Sequence, residues 1–591
     1  MPPVFRSRIF LGGCLVLAVA LCYLPAMSAG FVWDDDLLVT ENPLVKGADS
    51  LPYIWASSAA TDYTPLTTTA FWLQWRLWAD NPVGYHFVNI LLFALSALLL
   101  WRVIELLAIP GAWLGALLFA VHPVNVASVA WIAELKNALS LPLYLAAVAC
   151  WLRFLDSRKI APWLLALAAT ALALLSKGST VILPLVLLLC LWWKQRRVRG
   201  CDLLWLLPFF LLAALGALAT IHFQSRLVEA APAPMPERIA RAGHAIWFYL
   251  GKDVWPFALC AVYPKWRLDG NFLPLILAAG LAVALWFAQK RLTRGPFFAW
   301  AYFIVALPPV LGLVNMSFLD QAYVADWWQQ LALPAACALV AAGLTLWPGR
   351  TIAERSIAAV FLVLFLCGRT FTDASAYQSM ESLCIRTLKY NPDSWTAHDN
   401  LGNVYNLDGD LALAAHEYEI ALRLKPSDPA THSNLGTVYA RLDRLDDAIA
   451  QYRAALALAP DSAKYWFNLG NAFRAKRSNA AALDAFTHAV DNNARWISPR
   501  YAMGSVLLDL GRPADAGLQA ATIMHLDPSS ITGHYLMARA AAASSRFDIA
   551  VAEAEAALEI AQQSGDAKTI LQMQEALAAC KSRMQPLSPP P

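Results

Sequence analysis

Apolar residues fall in long unbroken runs over the first 375 residues, separated by short polar punctuation. The runs lie at about 9–29, 86–107, 112–131, 138–154, 161–176, 179–193, 202–222, 271–288, 297–315, 328–347 and 354–372, each measured against the ~20 residues a helix needs to cross a bilayer. They predict about eleven membrane helices. Charged residues are scarce before Leu388 and ordinary after it. A chain of 591 residues exceeds the usual size of one domain, so the shift divides it into a membrane half and a soluble half.

Basic residues set the orientation. Arg6 and Arg8 precede the first run, which exceeds the ~7–15 apolar residues of a signal peptide, so it reads as a membrane helix with a cytoplasmic N-terminus. The basic loops 153–159, 194–199, 290–294 and 350–355 then all fall in the cytoplasm. The opposite side receives an acidic loop at 34–36, the turns 134–137 and 176–179, the stretches 222–270 and 316–327, and, because the count is odd, everything after 371. The expected location is the inner membrane, with the soluble half outside the cytoplasm. The loop 30–85 carries Tyr53, Trp55, Tyr63, Trp72, Trp75 and Trp78. Such rings favour the headgroup level, so part of this loop is expected as amphipathic helix along the membrane. The apolar segment 245–262 is broken by Lys252, Asp253 and Pro256 and reads as interfacial or re-entrant.

The soluble half repeats. Gly402, Gly436, Gly470 and Gly504 are 34 residues apart, as are Ala414, Ala448, Ala482, Ala516 and Ala550. That period with this pattern is the tetratricopeptide repeat, two antiparallel helices per unit. About five units occupy 395–564, after a lead-in at 376–394 and before a capping helix and a proline-rich tail over 565–591. The fold class is therefore all-α: a polytopic helical membrane domain at 1–375 followed by a solenoid whose concave groove suits an extended peptide or partner protein. Tyr418, Tyr452 and Phe486 are expected to fill space between units. His398, His432 and His534 share one repeat position with Trp466 and Arg500, which marks packing and not metal ligation.

Composition narrows the chemistry. A net charge of +3 with no large basic block gives no reason to expect nucleic acid. The ten cysteines show no CxxC and no metal spacing, so neither a disulfide framework nor zinc is expected. Three carboxylates in Phe31-Val32-Trp33-Asp34-Asp35-Asp36 stand where the first helix leaves the lipid. An acid there works as a general base if its surroundings raise its pKa, or else merely ends the helix in a polar loop. Asp34 and Asp35 also offer a place for a divalent cation, without a dedicated ligand set. His122 reads as a packing residue or a pocket residue. Glu134, Lys136 and Asn137 read as a solvated turn or part of a site. Lys177 lies on the side that the basic-loop rule disfavours, where it either snorkels to headgroups or meets a lipid phosphate.

The motifs together resemble the transmembrane and tetratricopeptide-repeat protein O-mannosyltransferases and their bacterial relatives, in the C-type glycosyltransferase superfamily. The anchors are the acidic loop with Thr40-Glu41-Asn42-Pro43, Tyr63-Thr64-Pro65-Leu66-Thr67-Thr68, Gly84-Tyr85-His86-Phe87-Val88-Asn89, His122-Pro123-Val124-Asn125, Ser176-Lys177-Gly178 and Ala325-Asp326. The resemblance implies transfer of a sugar, mannose or another hexose, from a polyprenyl-phosphate donor to Ser or Thr hydroxyls of envelope proteins, with the repeats holding the acceptor or a partner. It places Asp34 and Asp35 at the acceptor, Asp34 as the better base. Lys177 is then the first candidate for the lipid phosphate, with Arg226, Arg238 and Arg241 behind it, and Asp36, His122, Glu134 and Asp326 shape the donor or acceptor pocket. Relatives commonly carry Arg where this chain has Thr64, Leu135 and Trp327, His where it has Phe93, and an acid where it has Asn137. Those departures leave open a non-catalytic membrane-anchored scaffold for envelope or pilus assembly.

Overall fold

The computed structural model describes residues 7–56, 63–195, 198–224, 233–268, 270–291, 293–314 and 316–584. Among them every regular element is helical. The chain divides into two compact units, Met1–Asn400 and Leu401–Pro591.

In the first unit each predicted apolar run becomes a helical segment. Pro82–Leu106, Ile132–Ser157, Gly178–Gln195, Gly200–Phe223 and Ile352–Tyr377 are long and apolar enough to cross a membrane. Five more, Arg8–Cys22, Ile160–Ser176, Leu273–Ala288, Gly295–Ala306 and Leu333–Leu346, are apolar but shorter. The run expected as one helix at 112–131 is instead two, Ala112–Ala120 and Pro123–Ala130, bent by 50°. Pro123 supplies no N–H and breaks the ladder. The freed carbonyls are satisfied from elsewhere: Asn125 Nδ2 donates to Phe119 O at 2.8 Å and Thr370 Oγ1 to Val121 O at 2.7 Å. Broken helices persist in an apolar bundle only with such replacement partners.

Among the described residues the loop after the first helix contains three α-helices, Pro43–Lys46, Leu51–Ala56 and Pro65–Trp78. The last buries Thr67, Phe71 and Gln74 at helical spacing and exposes Leu73 and Leu77. Arg76 lies over the Trp72 ring and donates to Val45 O at 2.8 Å, which clamps the preceding turn onto this helix. Downstream, the segment read as broken at 245–262 starts earlier, as the amphipathic helix Met235–Val254, and the described residues from there to 272 form no helix.

The stretch 376–394, expected as a lead-in to the repeats, belongs to the first unit. Its helix Met380–Tyr390 brings Arg386 to Asp373 at 2.6 Å and to Leu259 O at 2.9 Å, and Asn391 donates to Val262 O at 3.1 Å.

In the second unit the helices pair with the predicted period, from Trp395–Asp408 with Leu411–Leu424 through Ile531–Ala543 with Phe547–Ser564, and Ala567–Met584 caps the stack. The proline tail at 585–591 lies outside the described residues. The repeated glycines now have a cause. A Cβ on Gly402 would lie 2.8 Å from the Tyr418 ring, one on Gly436 2.8 Å from Tyr452, and one on Gly470 2.5 Å from Phe486. The three rings sit over the glycine of their own helix pair, where the missing side chain leaves them room, and also join the cores that reach the next unit, as expected.

The shared repeat position closes each joint. His432 Nε2, Trp466 Nε1, Arg500 Nη2 and His534 Nε2 all meet the carbonyl six residues upstream, at 3.0, 2.8, 3.0 and 3.2 Å. His398 does the same at Pro392 O, at 3.0 Å. An N–H of the right reach is the requirement, which is why three residue types serve.

Candidate functional site

The acidic loop is held by its own apolar residues. Val39 and Val45 pack with Phe71, Tyr85, Ile132 and Leu135 in a small core separate from that of the bundle. Trp131 donates to Val32 O at 3.1 Å and sets its ring edge-on to Trp33, whose backbone takes the left-handed φ of 53°. Few non-glycine residues adopt that conformation, and here it turns the chain sharply into the three acids.

The acids then part company. Asp35 is fully buried, and its two oxygens accept from Val32 N at 2.7 Å and Ala133 N at 2.6 Å. Burial pushes its carboxyl well up, while the two N–H donors pull against that shift. Asp36 is exposed and accepts from Thr40 Oγ1 at 2.8 Å. Asp34 remains accessible but is crowded by protein. That crowding raises its carboxyl above the usual range, Lys136 nearby lowers it, and Glu134 raises it.

Those two neighbours begin a polar cluster. Glu134 is buried, meets Lys136 Nζ at 3.4 Å and accepts from Asn137 Nδ2. Asn137 also donates to Trp327 O at 3.2 Å, and its Oδ1 accepts from Lys177 Nζ. Thr67 Oγ1 donates to Ser176 O at 2.9 Å, so the loop helix is tied to the residue before Lys177. Asp34, Glu134, Lys136, Asn137 and Lys177 thus come from three distant parts of the chain to one end of the bundle. Glu134 pairs directly with Lys136, Asn137 links Glu134 to Lys177, and Asp34 feels the charges of Glu134 and Lys136. The set can deprotonate a bound alcohol and hold a phosphate close by.

Other candidates lie elsewhere. His122 is buried with both ring nitrogens engaged, by Val124 N at 3.4 Å and Asp253 O at 3.1 Å, and it pins the bent segment to the end of the helix Met235–Val254. Arg238 and Arg241 sit on that helix, not in a loop. Arg238 donates to Ala233 O at 2.7 Å and Leu313 O at 3.0 Å. Arg241 pairs with Glu237 at 3.2 Å and lies over the Tyr323 ring. Arg226 lies outside the described residues. Asp326 is buried one residue from the Trp327 carbonyl that holds Asn137, but its carboxyl turns away to accept from Tyr263 OH at 2.8 Å. Burial pushes it up to about 7 against the pull of Tyr263 and Lys252.

Lys136 and Asn137, which read in sequence as a solvated turn or part of a site, both lie in this cluster. Asn137 follows Glu134 by three residues, the spacing at which helical side chains meet, and that signal was available. Trp327, singled out in sequence only as a departure from the family pattern, packs its ring edge-on against Trp131 at 5.3 Å. Among the described residues no three His, Cys, Asp or Glu side chains converge as metal ligands, and Asp35 has both oxygens engaged.

Comparisons with known proteins cover Glu134, Lys136, Asn137 and Lys177 but begin after the acidic loop. The profile of the dolichyl-phosphate-mannose-protein mannosyltransferase family matches residues 62–222, and tetratricopeptide profiles match 402–443 and 433–495. A protein O-mannosyl-transferase of Caenorhabditis elegans is 32% identical over 141 residues, 21% of this chain and 20% of the relative. Protein O-mannosyl-transferase Tmtc1 of Drosophila melanogaster is 28% identical over 233 residues, 36% of this chain and 26% of the relative. The chain thus matches about a fifth to a quarter of the length of these relatives. Among solved structures, MamA is similar over 28% of this chain and 96% of its own, at 24% identity and a TM-score of 0.27.

Proposed function

Because the chain resembles the transmembrane and tetratricopeptide-repeat protein O-mannosyltransferases in both halves, we propose that it is a membrane glycosyltransferase acting on proteins. The donor is a polyprenyl-phosphate sugar, the sugar mannose or another hexose, and the acceptor a Ser or Thr hydroxyl of an envelope protein delivered by the repeats. The observation that carries this is the accessible, raised carboxyl of Asp34 beside the Glu134–Lys136–Asn137–Lys177 cluster.

In this reading Asp34 accepts the proton of the acceptor hydroxyl as its oxygen bonds to the sugar's anomeric carbon. The bond from that carbon to the phosphate oxygen breaks, and the polyprenyl phosphate leaves with the electron pair. Lys177 and Lys136 oppose the charge that grows on the phosphate. A raised carboxyl is the stronger base, which suits a nucleophile as weak as an alcohol. Asp35 positions the loop. Following the basic loops, the site faces outward from the inner membrane, with the N-terminus in the cytoplasm. The test is mass spectrometry of envelope proteins from cells with and without the chain. Loss of a hexose mass from Ser or Thr supports the reading, and an unchanged glycoprotein set refutes it.

Trp327 favours a second reading. An apolar ring stands where relatives commonly carry a cation, which suits a scaffold that has given up the transfer. Removing residues 395–581 separates the two, since an enzyme still glycosylates a short acceptor peptide and a scaffold loses all function.

A further inference from the structure

The stretch 255–264 follows the helix Met235–Val254 without forming a helix of its own, yet Leu259, Cys260, Ala261, Val262 and Tyr263 are all buried. Buried backbone outside a helix must find partners for its carbonyls elsewhere. Side chains supply them. Lys252 Nζ donates to Phe257 O at 2.6 Å and Ala258 O at 3.3 Å. Arg386 Nε donates to Leu259 O at 2.9 Å, and Asn391 Nδ2 to Val262 O at 3.1 Å. Arg386 is braced in turn by Asp373, which also pairs with Arg369 at 3.0 Å. Arg386, on the helix Met380–Tyr390, and Asn391, at its end, thus latch this strap to the bundle.

What the strap delivers is Tyr263. Its ring packs edge-on to Phe248 at 4.8 Å, and its hydroxyl donates to Asp326 at 2.8 Å. Asp326 needs that anchor because Asp326–Trp328 is a single 3-10 turn, too short to hold itself. The next residue, Trp327, offers the carbonyl that holds Asn137, and Asn137 accepts from Lys177. Asp326, Asp373, Tyr377 and Arg386 also line one small cavity of about 10 Å³, room for about one water, so the latch lies against the turn directly as well as through the strap. A continuous path of contacts runs from Arg386 and Asn391 through Tyr263, Asp326, Trp327 and Asn137 to the ammonium of Lys177.

We propose that Tyr263 is a positioning residue for Lys177, and that Arg386 and Asn391 act through it by latching the strap. None of the three touches the reacting atoms. Tyr263 fixes the turn, the turn presents the Trp327 carbonyl, and that carbonyl sets the amide against which Lys177 rests. The inference rests on the reading of Lys177 as the cation beside the donor phosphate. A slack turn lets Asn137 shift, and a displaced cation gives up part of its stabilisation of the leaving phosphate.

The test measures transfer by the full chain from a polyprenyl-phosphate hexose to a Ser- or Thr-containing peptide, in Tyr263→Phe, which removes the hydroxyl and keeps the ring. Its kcat/KM for the donor should fall on the order of tenfold, part of the roughly 10²–10³-fold that one charge-stabilising donor supplies, with donor KM raised and acceptor KM unchanged. A variant that merely folded less well would lower kcat and leave both KM values alone. Asn137→Leu cuts the path closer to Lys177, so adding Tyr263→Phe to it should cost nothing further. Wild-type kinetics in Tyr263→Phe, or losses that multiply in the double variant, would overturn the proposal. Arg386→Gln should show the same donor defect. It also strips a partner from buried Asp373. Should it fail to fold, Asn391→Ala loosens the strap at Val262 and leaves that ion pair whole, and full donor kcat/KM there would refute the latch. Asp34→Asn separates two kinds of failure. If the wild type transfers and Asp34→Asn does not, normal kinetics in Tyr263→Phe sinks the positioning claim alone. A wild type as inert as Asp34→Asn sinks the reading of the site, and the claim with it.

Discussion

The ammonium of Lys177 donates to the side-chain oxygen of Asn137, 40 residues earlier in the chain. Because Asn137 also binds Glu134 and the Trp327 carbonyl, it fixes the position of the cation against both partners. Lys177→Met should lower transfer by roughly 10²–10³-fold, the usual loss when one charge-stabilising donor is removed. Asn137→Leu should lose less, and Asn137→Asp, which still accepts from Lys177 but can no longer donate to Glu134 and the Trp327 carbonyl, should not restore full activity. Transfer to an acceptor peptide in membrane preparations measures all three, and full activity in Lys177→Met would end its proposed role.

Asp34→Asn should abolish transfer without changing membrane insertion. The pH profile gives a sharper test. A base works only when deprotonated, so activity should rise with pH through the raised value of Asp34 and sit above the range of an ordinary carboxyl. Lys136 lowers that value, so Lys136→Met should move the acid limb to higher pH. Glu134 raises it, so Glu134→Gln should move the limb to lower pH. Opposite shifts in the two variants are the expected signature.

Asp35→Ala should act on stability first. It leaves the N–H groups of Val32 and Ala133 buried and unpaired, at about 1–3 kcal/mol for such a group. The melting temperature of the detergent-purified protein should fall by several degrees. Residual transfer in Asp35→Ala, against none in Asp34→Asn, would separate positioning from chemistry.

Asp326 gives a stability prediction with a definite sign. Its carboxyl is pushed up to about 7, above its unfolded value. The protonated side chain therefore favours the folded state, fully so below the unfolded value, and the contribution disappears as pH rises through about 7. The melting temperature should be higher at pH 5 than at pH 8, and Asp326→Asn should flatten that dependence. An equal slope in wild type and variant would show that other groups cause it.

His432→Leu should weaken its repeat by about 1–3 kcal/mol, the typical net worth of two hydrogen bonds, because the Pro426 carbonyl and Gln451 both lose their partner. His432→Arg should restore it, since Arg500 already serves that position. Hydrogen exchange of the amides in the helices Pro429–Arg441 and Leu445–Leu458 reads both.

The architecture was legible because bilayer thickness and the 34-residue period are one-dimensional constraints, visible wherever apolar residues recur. The bend at Pro123 was less so. A proline in an apolar run breaks the helix only where partners such as Asn125 and Thr370 replace its ladder, and Thr370 lies far along the chain. The acids showed the same limit. Asp34, Asp35 and Asp36 look alike in sequence, and only contacts with Ala133 and Thr40 distinguish a fastener from an accessible base. Arg238 and Arg241 suited a phosphate by charge, but their partners on and around the helix Met235–Val254 hold them to other work.

The joint between repeats asks for a reach and a donor, and it is indifferent to which amino acid brings them. His, Trp and Arg are interchangeable couplings there. An array assembled with such couplings can lengthen or shorten by whole links over evolutionary time, since every new link meets the same socket. Relatives of this chain are therefore free to differ in how far their arms extend while the bundle that anchors them stays the same.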